Sequence, residues 1–300
     1  MTPTVLCPID FSEASRSALR YAALIAAQLG AGLTIATVND PLLSDAADMS
    51  SGPGHMADLA GREMERFYHD TWPASPPALA HVHFSLASGK PAAEILSIAA
   101  HSAASVIVMA TQGATGARKM FIGSTAERVL RETTVPVVIV PAADSGPRTL
   151  DDVRAAVRRI LLPVDLSGAM TRQMRVASGV AETLGASLML VHVVEPVRSA
   201  LPGYRQRPSA DAERRHRAER QFELLLEDLP PLLKAEALVA FGEPAEEIAK
   251  LAADRQAGLI VMGLQASPLL GSHMGSVTFR VLCLARVPVV ALPPLPLAAA

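Results

Sequence analysis

The stretch VLCPIDFSEASRSALRYAALIAAQLGAGLTIATV, residues 5–38, decides the fold, because the chain writes it twice. It returns as ILLPVDLSGAMTRQMRVASGVAETLGASLMLVHV at residues 160–193. In the first copy, Val5–Ile9 is a short, nearly unbroken apolar run, the pattern of a strand buried on both faces. Ser12 is then placed to cap a helix whose first turn carries Glu13. Gly30 stands where such a helix would end in a left-handed residue, and Leu33–Val38 is apolar again.

Working outward, the alternation continues. A helical stretch around Met56–Thr71, a strand at His81–Leu86, a helix after Pro91, a strand at Val106–Ala110, a helix from Ser124 and a strand at Val137–Val140 complete the unit. Each has its counterpart. SGKPAAEILSIAA (88–100) matches FGEPAEEIAKLAA (241–253), SVIVMAT (105–111) matches GLIVMGL (258–264), and VPVVIVP (135–141) matches VPVVALP (287–293). Apolar strands alternating with helices fold as a doubly wound α/β sheet. The expected architecture is two tandem, doubly wound, parallel five-stranded sheets. The expected domains are 1–143 and 158–300, joined by a linker at 144–157 of small, polar, Gly- and Pro-bearing composition.

Bulk properties exclude several classes of function. The net charge of -2, from 27 basic and 29 acidic residues, gives no polyelectrolyte signal for nucleic acid. An aromatic content of 4% leaves few base-stacking platforms. Cys7 and Cys283 stand alone at opposite ends without CxxC spacing, which fits a reducing compartment. No apolar run approaches the ~18 residues of a membrane span, and no leader pattern opens the chain. The expectation is a cytoplasmic protein with neither nucleic acid nor membrane as partner. There is no GxxxxGK[ST], GxSxG or HExxH run, so no catalytic residue and no metal ligand is assigned. His81 and His83 share a strand face but lack a third ligand.

Ligands of such sheets bind at the carboxyl ends of strands, where the strand order reverses. The loop TQGATGARKMFIGST, residues 111–125, starts at one of these ends and is far longer than a turn requires. Gly123, Ser124 and Thr125 open a helix, where free amides and the helix dipole favour an anion. Gly113 and Gly116 let the loop curl, while Arg118 and Lys119 offset negative charge.

Both copies resemble the universal stress protein family over nearly the whole chain. The resemblance rests on the PIDFSEAS opening, the GKP before the third helix, the VIVMA strand, the closing VPVVIVP and the loop spacing. The family's loop pattern is Gly, two residues, Gly, nine residues, then Gly-Ser or Gly-Thr, and it binds ATP. Gly113, nine residues and Gly123-Ser124 match its later part; Ala110 stands at the first glycine. The resemblance implies an adenine nucleotide alpha hydrolase-like fold. It also implies a stress-response protein that binds ATP, with or without Mg²⁺, as a regulatory ligand. Pro8, Ile9 and Asp10 would meet the adenosine end, and Val38 would offer backbone groups to adenine. Met109 and Ala110 would line base and ribose. Gln112, Gly113, Gly123, Ser124 and Thr125 would hold the phosphates. In the family the last strand pairs with its twin across a dimer, which here implies an intramolecular pseudo-dimer and leaves room for a further homodimer.

The second copy offers a weaker site built from Pro163, Val164, Asp165, Val193, Met262, Gly263, Gly275, Ser276 and Val277. Gly263 matches the family's first glycine, but Ala266 replaces the second and only eight residues precede Gly275-Ser276. That loop has no Lys or Arg, and Pro268 removes a donor. A helix terminus contributes only about 0.3–1 kcal/mol toward a polyanion, so losing the cations weakens the site. Two alternatives to ATP regulation stand. One is the same fold with a degenerate nucleotide site and no cofactor, acting through unidentified protein partners. The other is a slow ATPase.

Overall fold

The computed structural model describes residues 3–39, 55–73, 75–112, 122–166, 171–195, 208–264 and 274–294. They form two compact units, the first centred on residues 1–152 and the second on 153–263 with 276–289. No helix among the described residues is long and apolar enough to cross a membrane.

The first unit runs β1 (Thr4–Pro8), α1 (Glu13–Leu29), β2 (Gly32–Asn39), α2 (His55–Asp70), β3 (Val82–Ser88), α3 (Pro91–His101), β4 (Ala104–Ala110), α4 (Ser124–Glu132) and β5 (Val137–Val140). Its strands lie in the order β3-β2-β1-β4-β5, and each neighbouring pair is parallel. Val5, Leu6 and Cys7 are fully buried, as a central strand covered on both faces requires. The Ser12 hydroxyl accepts from the Ser15 amide (3.1 Å) and starts α1. Gly30, at φ 59°, ends it. Between those caps α1 turns Ala18, Leu19, Ala22, Ala23 and Ala26 inward, all fully buried. Four alanines let the helix approach the sheet closely, and Leu19 adds about 1.5–3 kcal/mol of burial.

The second repeat follows the same plan as β6 (Arg159–Pro163), α6 (Thr171–Leu184), β7 (Ser187–Val194), α7 (Pro208–Glu227), β8 (Ala235–Phe241), α8 (Pro244–Asp254), β9 (Leu259–Gly263), α9 (Ser276–Leu284) and β10 (Val289–Leu292). Here the order is β8-β7-β6-β9, again parallel between β6, β7, β8 and β9. The Ile260 amide of β9 donates to the Pro288 carbonyl at the threshold of β10 (3.1 Å).

Between the repeats the chain is more ordered than linker composition suggests. A helix, α5, spans Leu150–Ala156. Its start is a reciprocal cap: the Asp152 amide donates to Thr149 Oγ1 (3.1 Å) and the Thr149 amide to Asp152 Oδ2 (2.9 Å). The Arg148 amide (2.9 Å) and the Thr149 amide both donate to the Asp152 carboxyl and hold it below its ordinary value. Upstream, the segment is fastened to α1. The Tyr21 hydroxyl donates to Asp144 Oδ2 (3.0 Å), and the Arg20 guanidinium donates to the Ser145 carbonyl. Gly146, at φ 72°, lies so close that a Cβ would fall 3.0 Å from the Ser17 carbonyl oxygen.

Candidate functional site

The strand order of the first unit reverses between β1 and β4, and a cleft of about 260 Å³ opens above their carboxyl ends. Pro8, Ile9, Asp10, Val38, Met109, Ala110, Gln112, Gly123, Ser124 and Thr125 all line it. Of the residues expected in the first site, Gly113 lies outside the described residues, as do Gly116, Arg118, Lys119 and the stretch 40–54. Ser15, Ala36, Pro91, Ile95, Thr111 and Ala126 also line the cleft without having been singled out from sequence. Two were within reach of periodicity: Ala36 lies two residues before Val38 on one strand face, and Ile95 one turn after Pro91.

The helix entrance is the chemical centre. Gly123 is extended (φ -64°, ψ 147°) and precedes α4 without a side-chain cap. Its amide donates to the Thr111 carbonyl at 2.7 Å, so it is engaged in closing the loop. A Cβ here would sit 3.3 Å from that same oxygen. The glycine therefore allows the two ends of the loop to touch. The first intrahelical bond of α4 is Glu127 N to Gly123 O (2.9 Å). The amides of Ser124, Thr125 and Ala126 precede it and have no partner within the helix, and the three residues line the cleft.

Asp10 is fixed by its neighbour. The Ser12 amide (3.2 Å) and hydroxyl (2.5 Å) both donate to Asp10 Oδ1. Between them Phe11 is held at φ 62°, a left-handed conformation that costs a non-glycine residue about 1–2 kcal/mol. This sharp turn lifts Asp10 above the end of β1. The Ile9 amide donates to the Ala36 carbonyl (2.8 Å), the last rung between β1 and β2. Val38 is two residues further on, where its backbone faces the side on which β1 has ended.

Ala110 stands where the family's pattern has its first glycine. It belongs to β4, shows no positive φ, and packs against the core shared by Val106, Val108 and α1. An ordinary strand residue suffices there. Met109, 6% exposed, turns to the opposite face and forms the apolar floor with Ile95.

The second unit arranges its counterparts differently. Pro163, Val164, Asp165 and Val193 hold the strand-end positions, and Leu166 repeats the left-handed turn at φ 58°. Met262 is buried, and Gly263 ends β9. A Cβ on Gly263 would meet the Gln173 side-chain amide at 2.4 Å, so that amide occupies the space the glycine leaves. Thr278 Oγ1 donates to the Gly263 carbonyl (3.2 Å). Ser276 and Val277 open α9 after Gly275; Ala266 and Pro268 lie outside the described residues. The local charge is inverted as well. Where Lys90 precedes α3, Glu243 precedes α8 and caps it by accepting from the Glu246 amide (3.1 Å). Arg280 donates to Glu243 (2.6 Å) and to Glu246 (3.0 Å), so its charge is engaged.

No group of three His, Cys, Asp or Glu side chains is placed to hold a metal ion among the described residues. His83 is exposed on β3, and His81 precedes that strand with its ring against Gly32.

Known proteins share this organisation. The pattern that defines the universal stress protein family matches residues 1–141 and again residues 156–293. A protein of Thermus aquaticus named as a universal stress protein is 35% identical over 135 residues, which cover 44% of this chain and 96% of its own. The crystal structure of a universal stress protein from Archaeoglobus fulgidus superposes with a TM-score of 0.67 at 21% identity, covering 97% of this chain and 98% of that one. A functionally unknown protein of Pseudomonas aeruginosa superposes with a TM-score of 0.64 at 16% identity, covering 98% and 93%.

Proposed function

The chain belongs to the universal stress protein family, and from that premise we propose that its first unit binds an adenine nucleotide, ATP foremost, as a regulatory ligand. One observation carries the reading. Ser124, Thr125 and Ala126, whose amides come before the first intrahelical bond of α4, line the same cleft as Asp10 and Val38. Amides at a helix start bind phosphate through hydrogen bonds and the dipole. The Ser124 and Thr125 hydroxyls add donors. The Asp10 carboxylate accepts from ribose hydroxyls, the Val38 backbone meets adenine, and Met109 with Ile95 packs on the base.

We read it as a binding site, because none of the described residues is assigned the role of a general base that activates water. ATP turnover is expected below the ordinary enzymatic range of about 1–1,000 per second. Any Mg²⁺ would arrive on the triphosphate. The protein would act in the cytoplasm, passing the nucleotide state to protein partners.

The second unit is the weaker site. The Gln173 amide over Gly263 and the carboxylates at the start of α8 support that ranking. Titration calorimetry with ATP, AMP and cyclic AMP tests the proposal, alongside mass spectrometry of nucleotide extracted from the purified protein. One high-affinity equivalent per chain is expected. Absence of heat with all three ligands, and no nucleotide in the extract, would overturn it in favour of a degenerate site.

A further inference from the structure

Away from both strand-end clefts, the second unit carries a groove of about 600 Å³ between α6 and α7. Met174, Ser178 and Gly179 line it from α6, and Leu224 and Leu225 from α7. The first unit closes the corresponding interface from within. There the Phe11 and Phe67 rings meet edge to face at 5.6 Å, and the Arg16 guanidinium lies 4.2 Å over Phe67. In the repeat alignment Leu166 stands for Phe11, Thr171 for Arg16, Ser178 for Ala23 and Gly179 for Leu24. Phe11 to Leu166 and Leu24 to Gly179 remove apolar volume, and the groove is what remains.

Three features of this groove have no use among the described residues. Leu224 is 65% exposed. Ser178 is 7% exposed, yet its hydroxyl has no hydrogen-bond partner among the described residues. Gly179 sits inside a helix, where glycine is unfavourable relative to alanine, although a Cβ there would meet nothing within 4 Å.

The charges are ordered along the groove. Because β6, β7 and β8 are parallel, α6 and α7 cross back over the sheet in the same direction. Arg175 lies near the start of α6 and Glu182 near its end, about 10 Å along the axis. Asp228 follows the last residue of α7, at the same end as Glu182. One end of the groove is therefore cationic and the other carries two carboxylates. None of the three makes an ion pair among the described residues.

We propose that this groove is a self-association surface that takes a second copy of the chain. A two-fold axis across its middle sets Arg175 of one copy against Glu182 and Asp228 of the partner subunit. It also brings the exposed Leu224 over the partner's Gly179, where the absent Cβ leaves room. The same operation repeats both contacts, which is the self-complementarity an isologous interface requires. Among the described residues only the second repeat is open in this way, and one isologous patch per chain closes at a dimer.

Sedimentation velocity of the full chain, with and without nucleotide, reads the proposal independently of the nucleotide site. A reversible dimer is expected at micromolar concentration, weakening with salt as its charge pairs are screened. Leu224→Asp and Arg175→Glu should each weaken it at least about tenfold, with circular dichroism unchanged and the melting temperature equal to that of the wild type diluted to monomer. Combining Arg175→Glu with Glu182→Arg and Asp228→Arg should restore the dimer. A wild-type chain that is monomeric up to about 100 μM overturns the proposal, as does a dimer indifferent to both single substitutions. A monomer that binds a naphthalene-sulfonate dye in this groove, with the dye lost in Leu224→Asp, overturns it in favour of a small apolar ligand.

Discussion

The two copies share a backbone plan and spend their side chains differently. In the first, the space between α1 and α2 is filled by Phe11, Phe67 and Arg16, and Arg16 also donates to Thr71 Oγ1 (3.2 Å). In the second, the space between α6 and α7 is an open groove. The strand-end clefts differ in the same spirit. The first keeps a cavity above β1 and β4, whereas the second seats the Gln173 amide over Gly263 and places two carboxylates at the start of α8. The comparison teaches that a duplicated fold tolerates loss of filling or loss of charge in one copy, because the buried strands and the caps carry the architecture. Each copy is then free to keep a different surface.

The largest effect expected from this comparison is on stability. Phe67→Ala removes a ring that is 6% exposed and packed by both Phe11 and Arg16. Its loss should cost about 3–5 kcal/mol in urea unfolding. Leu224→Ala, at the rim of the open groove, should stay within about 0.5 kcal/mol when both chains are diluted to monomer. Equal losses would mean that the α6–α7 interface is closed in solution.

Next comes the nucleotide. Gly123→Val drives a branched side chain onto the Thr111 carbonyl and opens the loop at its neck, so ATP affinity should fall roughly 100-fold, about 2.7 kcal/mol. The same substitution at Gly275 should change it less than about twofold. Calorimetry on both variants decides, and equal losses would put the principal site elsewhere. A smaller effect is expected from moving charge between copies. Lys90→Glu places at α3 the acid that α8 carries, and should weaken ATP binding by roughly tenfold at low salt, less as salt is added. No change would show that Lys90 does not contribute to the field at the cleft.

Much of this was legible in the sequence, for physical reasons that particular residues make plain. Ser12 and Gly30 announce the ends of α1 because caps are local chemistry. Ten of the eleven residues expected in the first cleft line it because strand ends and helix starts converge wherever a parallel sheet changes direction. What escaped depends on partners distant in sequence. The Gly123 amide is engaged by Thr111 across a loop, which moves the free donors one residue along to include Ala126. Tyr21 and Arg20 fasten the segment at 144–146, which composition alone reads as loose. The Thr149-x-x-Asp152 cap that starts α5 was local and readable, but it sat inside a stretch whose Gly and Pro pointed to a linker. The α6–α7 groove exists only as a difference in volume between Phe11 and Leu166 and between Leu24 and Gly179, a quantity that no single position displays.

The smallest predicted effect tests where the copies should agree. Ala103 at φ 47° and Gln256 at φ 54° occupy matching left-handed positions after α3 and α8. Each helix end is closed by the same bonds: Ser102 N to Ile98 O (2.9 Å) and Arg255 N to Leu251 O (2.9 Å). Side chains at these positions are strained by the backbone rather than used by a ligand, since neither residue lines a described cleft or groove. Glycine relieves that strain at the cost of a more flexible unfolded chain, so Ala103→Gly and Gln256→Gly should each stabilise by up to about 1 kcal/mol. Urea unfolding of both variants gives the comparison directly. A gain at one position and a loss at the other would show that the two repeats have diverged in backbone as well as in side chains.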